Sequence, residues 1–148
     1  MPQFQDNAGR TWTVELNTTV IKQVRSLTDL DLLAAGFPFV RLAADPILLA
    51  DVLFIVCRPE ADERYVTDEA FGRALAGDAL DAGLEAMVEA RLAYCPNTQD
   101  REHVNRIVGL SRTLIDDAHA ALDVRAEAVL ATRHLTDSHH RPADPAGP

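Results

Sequence analysis

The sequence has few aromatic residues and a moderate proportion of charged ones. Aromatic side chains make up 5% of its 148 residues, so the apolar content is carried by Ala, Leu and Val. That balance favours helices over a β-sandwich, because strands are enriched in aromatic side chains. A hydrophobic fraction of 47% with 25% charged residues is typical of a globular protein and excludes a disordered chain.

Cysteines and long apolar runs are also scarce. Cys57 and Cys95 are too few for a disulfide framework, and each ends an apolar helical pattern. Buried free thiols are therefore the first interpretation, while a single bridge between them stays open. The N-terminal residues lack the pattern of a secretion signal, and the longest apolar run, Ile47 to Cys57, is too short to span a bilayer. We expect a cytoplasmic protein without a membrane partner.

Positive charge is in short supply. The net charge is −9, so there is no global basic patch, and a nucleic-acid partner is disfavoured. The negative charge is concentrated in residues 51–90, which hold ten acidic and three basic residues. A basic protein partner would complement this region, although acidic helical faces also serve simply to keep a protein in solution.

The N-terminal residues 3–16 predict a β-hairpin. Apolar residues alternate on either side of Asn7 and Gly9, which supply the positive φ angles that a tight turn needs. An isolated hairpin is marginally stable, so its Trp12 face must pack on another element. A lone tryptophan in this setting is usually a core residue, but it could instead anchor a binding surface.

Capping signals predict the first helices. Thr18-Thr19 can cap a helix with an apolar face. Asp45-Pro46 combines a preferred N-cap with a proline at the first helical position, and predicts a central core helix that ends at Cys57. The competing interpretation is a buried strand over residues 52–57. Residues 58–64 are predicted to form a charged loop.

The acidic middle of the chain predicts two further helices. Thr67 is a good N-cap for the first, in which Phe71 and Leu75 share a face. Gly77 ends that helix, and Asp78 begins the next. The second helix has an apolar stripe of Leu80, Leu84, Val88 and Leu92, and a neighbouring acidic face of Asp81, Glu85 and Glu89.

The C-terminal part has a long helical pattern from Gln99 to His134, after a break at Pro96-Asn97. Residues 136–148, which contain several prolines and two histidines, are expected to form a flexible tail. We therefore predict a mostly α protein, with a single helical domain over residues 1–135 that begins with the β-hairpin and ends with a long helix.

No motif predicts catalysis. The spacing of Gly72 and Gly77 superficially matches a phosphate loop, but Asp78 follows where a lysine is required. Asp116-Asp117 lies near His119 inside a helical pattern without a nearby nucleophile, which is typical of a solvated face. The histidines lack the spacing of metal ligands. We expect no catalytic residue, no metal site and no cofactor.

Three segments carry a family resemblance: Phe4-x-Asp6-x-x-Gly9-Arg10-x-Trp12, Asp45-Pro46-x-Leu48-Leu49-x-Asp51-Val52-Leu53 and Val66-Thr67-Asp68-Glu69-x-Phe71-x-x-Ala74-Leu75-x-Gly77-Asp78-x-Leu80-x-Ala82. Together they resemble small acidic proteins that are encoded beside tail genes in prophage-like clusters and are similar to tailed-phage tail assembly chaperones. The likeness covers residues 4–95. It implies a non-enzymatic protein of the bacterial cytoplasm that coats a long helical tape-measure protein and recruits tail-tube subunits.

This resemblance leads to a hypothesis of helix-in-groove binding, in which an apolar face takes up the partner helix and an acidic rim attracts its basic flanks. A homo-oligomer is a further option. Alternative hypotheses are a structural component of a phage tail or related particle, and a small enzyme or ligand-binding domain. The residues expected to bind the partner are Trp12, Phe71, Leu75, Asp81, Leu84, Glu85, Val88 and Glu89.

Overall fold

The fold is mostly helical, with an N-terminal two-stranded hairpin and a long C-terminal helix, and this confirms the predicted fold class. The computed structural model describes residues 1–34, 36–95 and 97–139, with side chains as far as residue 133. The described residues form two compact units that divide between Ser111 and Arg112, inside the predicted single domain. The elements in chain order are β1 Gln3–Gln5, β2 Thr11–Thr13, α1 Thr18–Thr28, α2 Phe39–Ala44, α3 Pro46–Glu63, α4 Asp68–Arg73, α5 Asp78–Ala93 and α6 Thr98–His139.

The hairpin is antiparallel, with Phe4 opposite Trp12 and both side chains buried. The predicted range 3–16 contains two three-residue strands and, between them, a turn organised by Asp6. The Asp6 carboxylate accepts hydrogen bonds from the backbone N–H groups of Ala8 and Arg10, each at 2.9 Å. Gly9 completes this turn with a φ of +82°, a conformation that glycine adopts without the steric cost of a Cβ.

Helix α1 begins at the predicted position, but its cap is a different residue. The side chain of Asn17, rather than Thr18 or Thr19, accepts a hydrogen bond from the backbone N–H of Val20 at 2.9 Å. Asparagine is at least as good an N-cap as threonine, so the sequence contained both options. The short helix α2, over Phe39–Ala44, was not predicted.

Helix α3 begins as predicted, since the Asp45 side chain accepts a hydrogen bond from the backbone N–H of Leu48 at 3.0 Å. It then continues through Pro59 to Glu63. The charged loop predicted over residues 58–64 is therefore wrong, and the alternative strand over 52–57 is excluded. A proline inside a helix removes one hydrogen bond and costs about 3 kcal/mol, so contacts beyond the helix must offset that cost.

Those contacts are made with the outer edge of the hairpin. Glu60 accepts a hydrogen bond from the backbone N–H of Thr13 at 2.8 Å. One turn later, Arg64 donates to the backbone carbonyl of Thr11 at 2.7 Å and to Glu60 at 3.1 Å. The end of α3 thus satisfies backbone groups that a two-stranded sheet would otherwise leave at an open edge.

Helices α3 and α5 cross closely at Gly83. A Cβ atom placed on Gly83 would lie 2.6 Å from Cδ1 of Leu53, whose side chain is fully buried. The absence of a side chain at Gly83 is therefore what allows the two long helices of the first unit to approach.

Helix α4, which lies between α3 and α5 in the chain, is capped by Thr67 as predicted. The Thr67 side chain accepts a hydrogen bond from the backbone N–H of Ala70 at 3.1 Å.

The start of α6 is attached to α5 by a buried arginine. Arg91 donates to both carboxylate oxygens of Asp100, at 3.1 and 3.3 Å, and to the backbone carbonyl of Gly36 at 2.9 Å. These hydrogen bonds hold the pKa of Asp100 below its ordinary value. A buried charge with this set of partners is fully accommodated, which explains how an arginine is tolerated in the core.

Helix α6 exceeds the predicted range at both ends, since it runs over Thr98–His139. Asn97 caps it by accepting a hydrogen bond from the backbone N–H of Asp100 at 2.8 Å. Residues 136–139 of the predicted flexible tail belong to this helix, and the rest of that tail, residues 140–148, lies outside the described residues.

Candidate protein-binding surfaces

The eight side chains expected to bind a partner separate into two groups. Three are exposed acids of α5, and five are apolar and buried within the first unit. The apolar five do not form the expected docking face in this conformation, because other elements of the same chain already cover them. The buried side chains are Trp12, Phe71, Leu75, Leu84 and Val88, and the exposed acids are Asp81, Glu85 and Glu89.

Trp12 is a core residue, the more usual of its two interpretations. Its side chain is fully buried, and its ring meets that of Phe71 edge-on with the centroids 5.0 Å apart. Phe71 in turn packs against Phe54, with ring centroids 5.3 Å apart. The guanidinium of Arg64 lies 4.9 Å from the centroid of the Trp12 ring. This aromatic cluster joins the hairpin to α3 and α4, and Trp12 is not available to a partner.

Asp6 belongs to the first segment of the family resemblance, but its structural role was not predicted. Its carboxylate accepts hydrogen bonds from Nε1 of Trp12 at 2.9 Å and Nε of Arg10 at 2.8 Å, in addition to the two backbone donors of the turn. Burial raises the pKa of Asp6, but the hydrogen bonds from Trp12 and Arg10 outweigh it and leave the pKa below its ordinary value. The carboxylate is thus the polar centre of the hairpin.

An open groove lies at one end of the exposed acidic face of α5. Glu89 lines this groove, which has a volume of about 700 Å³ and lies where the hairpin meets the end of α5. The apolar floor of the groove comes from Met1 and Ala93, which are exposed, and from Tyr94, which is half-buried. Glu15 and Glu89 beside this floor are exposed. The full lining is Met1, Pro2, Gln3, Val14, Glu15, Leu16, Glu89, Ala90, Ala93 and Tyr94.

This combination suits a particular class of side chain. An apolar floor with two carboxylates beside it complements a lysine or arginine, whose aliphatic stem can lie on apolar surface while its charged end meets the acids. Asp81, Glu85 and Glu89 recur every four residues and extend the acidic surface along α5. We refer to these three residues, Glu15 and the groove as the acidic groove surface.

The second unit carries a surface of a different kind. Helix α6 has an apolar stripe here that is exposed except at Ile115, which is half-buried. The residues of the stripe lie on one face of the helix, because they are spaced three, four or seven positions apart. Arg125 is one of these residues, and Asp117 lies at the border of this face. The apolar stripe comprises Leu114, Ile115, Ala118, Ala121, Leu122, Arg125, Ala128 and Val129.

A known signal could have identified this stripe. Val108, Ile115, Leu122 and Val129 recur every seven residues, which is the repeat of helices that pair with other helices. The helical spacing is visible in the sequence, but spacing alone does not separate a face that is covered by the chain itself from one that is exposed. Burial, which depends on the neighbouring elements, makes that distinction.

Both cysteine thiols of the chain have raised pKa values. Cys57 and Cys95 are both free cysteines. Burial raises the pKa of Cys57 to about 12, so its reactive thiolate form is scarce. Burial and a hydrogen bond with Asp100 also raise the pKa of Cys95. Among the described residues, no group of three or more histidine, cysteine or acidic side chains is placed to hold a metal ion.

None of the described helices combines the length and apolar character needed to cross a membrane. Comparison with protein-family models, with curated proteins and with solved structures finds no match to this chain.

Proposed function

We propose that this chain is a non-enzymatic assembly adaptor that binds a helical protein with basic flanks. The observation that carries the proposal is the groove beside α5, where the exposed Glu15 and Glu89 accompany an apolar floor that includes the exposed Met1 and Ala93. An amphipathic helix or its flanking segment would place apolar side chains on that floor and basic side chains against the acids.

The family resemblance supports a more specific form of this proposal. The chain would act in the bacterial cytoplasm as a tail assembly chaperone, and its helical partner would be a tape-measure protein. The apolar residues that were expected to take up the partner are core residues. The proposed docking site is therefore the acidic groove surface. Of the eight residues first named, Asp81, Glu85 and Glu89 keep their proposed role, while Leu84 and Val88 act beneath it as part of the core.

Co-purification with a tailed-phage tape-measure protein tests this proposal. The double variant Asp81→Lys/Glu89→Lys reverses two exposed charges of the acidic groove surface. We expect it to lose most of the partner that the wild-type chain retains, since the attraction becomes a repulsion. Binding by the wild-type chain should also weaken as salt is added, because exposed charges are screened.

The matched control is Asp116→Lys/Asp123→Lys, which changes net charge by the same amount at exposed acids of the second unit. This control should bind like the wild-type chain. Failure of the wild-type chain to retain the tape-measure protein would refute the proposed partner. Equal retention by the two double variants would show that the acidic groove surface is not where it docks.

A further inference from the structure

The apolar stripe of the second unit is exposed, and its charge pattern indicates what covers it. Leu114, Leu122 and Val129 have large exposed apolar side chains on one helix. A contiguous apolar face of this kind is characteristic of an interaction surface. Unlike the acidic groove surface, the stripe contains a cation, Arg125, and the acid Asp117 borders it.

The stripe is complementary to itself when two copies of the helix run antiparallel. If the pair is centred on Ala121, residues that lie equally far before and after Ala121 face each other. Asp117 and Arg125 are each four residues from that centre, so each Arg125 would meet Asp117 of the second copy. In an antiparallel pair, a given flank of one helix lies beside the same flank of the other helix. Asp117 of one copy and Arg125 of the other copy therefore lie on the same side of the pair.

The same centre also matches side-chain sizes. Leu114 and Ala128 are each seven residues from Ala121, so a large side chain would face a small one. Alanines at 118, 121 and 128 permit two helices to approach closely while leucines fill the space between them. One register thus pairs the charges of Asp117 and Arg125 and places Leu114 beside Ala128.

Within a single chain, Arg125 and Asp117 cannot satisfy each other. They are eight residues apart on one helix, which corresponds to about 12 Å along its axis. A parallel pair would not bring them together either, because it would place Arg125 beside Arg125 of the second copy. Charge complementarity therefore favours the antiparallel arrangement over the parallel one.

From these observations we infer that a second copy of this chain covers the apolar stripe, as an antiparallel helix pair centred on Ala121. The inference goes beyond the proposed function, since it concerns the isolated protein and a different surface. A dimer formed in this way carries two acidic groove surfaces, which would let it hold a long helical partner at two points.

Cysteine crosslinking tests the register. The variant Ala121→Cys places two thiols at the centre of the pair, where Cα atoms can approach within the roughly 4.4–6.8 Å that a disulfide spans. Mild oxidation of the full chain should convert it to a covalent dimer. Ala120→Cys is the matched control, because Ala120 is also exposed but lies about 100° around the helix, away from the stripe. It should give no more covalent dimer than the wild-type chain, which controls for Cys57 and Cys95.

Leu114→Cys distinguishes the two orientations. In the antiparallel pair the two copies of residue 114 lie about 21 Å apart along the axis, so no covalent dimer is expected. A parallel pair would bring them together and crosslink. A covalent dimer of Leu114→Cys, or equal crosslinking of Ala120→Cys and Ala121→Cys, would therefore overturn the inference.

Charge reversal tests the pairing of Arg125 with Asp117. Sedimentation of the wild-type chain over a concentration series should show a reversible dimer. Arg125→Asp and Asp117→Arg should each weaken it roughly tenfold, since two attractions become two repulsions. The double variant restores opposite charges, and its dissociation constant should return to within about threefold of wild type.

Asp116→Arg is the control on the opposite face of α6, and it should leave the dimer unchanged. Circular dichroism would verify that each variant keeps its helical content. A wild-type chain that stays monomeric throughout would assign the stripe to another protein and overturn the inference, as would a double variant no stronger than the single ones. These measurements use no tape-measure protein, so their failure is distinguishable from failure of the proposed function.

Discussion

The two parts of helix α6 have similar residues and opposite exposure. In the first unit, the side chain of Val108 is 5% exposed, whereas in the second unit that of Val129 is 62% exposed. Both valines belong to the same seven-residue repeat. The comparison shows that periodicity identifies the apolar face of a helix, while the neighbouring elements decide whether that face becomes core or an exposed surface.

The largest effect on the free energy of unfolding is expected when the same charged residue is introduced into each of the two parts of α6. Val108→Asp would bury a carboxylate without a partner and should reduce the free energy of unfolding of the first unit by at least about 4 kcal/mol. Val129→Asp should change it by less than about 0.5 kcal/mol at protein concentrations too low for the inferred dimer, because its side chain is exposed in the single chain. Urea unfolding followed by Trp12 fluorescence measures both. Similar losses in the two variants would contradict the distinction between a covered and an exposed face.

An intermediate effect is expected where a buried acid of the first unit is compared with an exposed acid of the second. Asp6→Asn removes the charge from a carboxylate that four donors contact, and should cost about 2 kcal/mol at neutral pH. Asp116→Asn, at an exposed position, should stay within about 0.5 kcal/mol of wild type. The same unfolding experiment distinguishes them.

The pH dependence of the Asp6 contribution follows from its lowered pKa. The folded state binds the proton less readily than the unfolded state, so Asp6 stabilises the fold above its unfolded pKa, which is near 3.8. That contribution is lost as the pH falls from there through the folded pKa. Asp6→Asn should therefore lose less stability than wild type over this acidic range. Parallel acid profiles would exclude Asp6 as a contributor.

The smallest effect on stability is expected at two helical glycines, Gly83, which packs against Leu53, and Gly109, which has open space beside it. Gly83→Ala introduces a Cβ against Leu53 in the packed crossing of α3 and α5, and the overpacking should exceed the gain in helix propensity by about 1 kcal/mol. Gly109→Ala has no atom within 4 Å of the new Cβ beyond the helix itself, and should stabilise the helix by up to about 1 kcal/mol. Thermal unfolding measures both signs. A stabilised Gly83→Ala variant would show that Leu53 can repack.

The elements that could be predicted from sequence are those specified by local hydrogen bonds. Asp45 and Thr67 cap the helices for which they were predicted, and the turn containing Gly9 joins two strands. Such signals are reliable because a side-chain cap or a positive φ depends on residues within a few positions of each other.

The errors arose where distant contacts outweighed local preference. Pro59 predicts a break, yet α3 continues because Glu60 and Arg64 bind the hairpin edge. The role of Asp6 was missed for the same reason, since its partnership with Trp12 depends on the closed hairpin. The acids of α5 were identified correctly as an exposed face, but the groove at Glu89 forms only once the hairpin packs beside that helix.

The sequence by itself determined the helical class, the hairpin and the apolar stripe of α5. Only the tertiary structure decided that Phe71, Leu75, Leu84 and Val88 are core residues and that the stripe around Ala121 is exposed. The physical reason is that secondary structure depends on hydrogen bonds and spacing within a segment. Burial is instead a property of the space between segments, and no single segment contains that information.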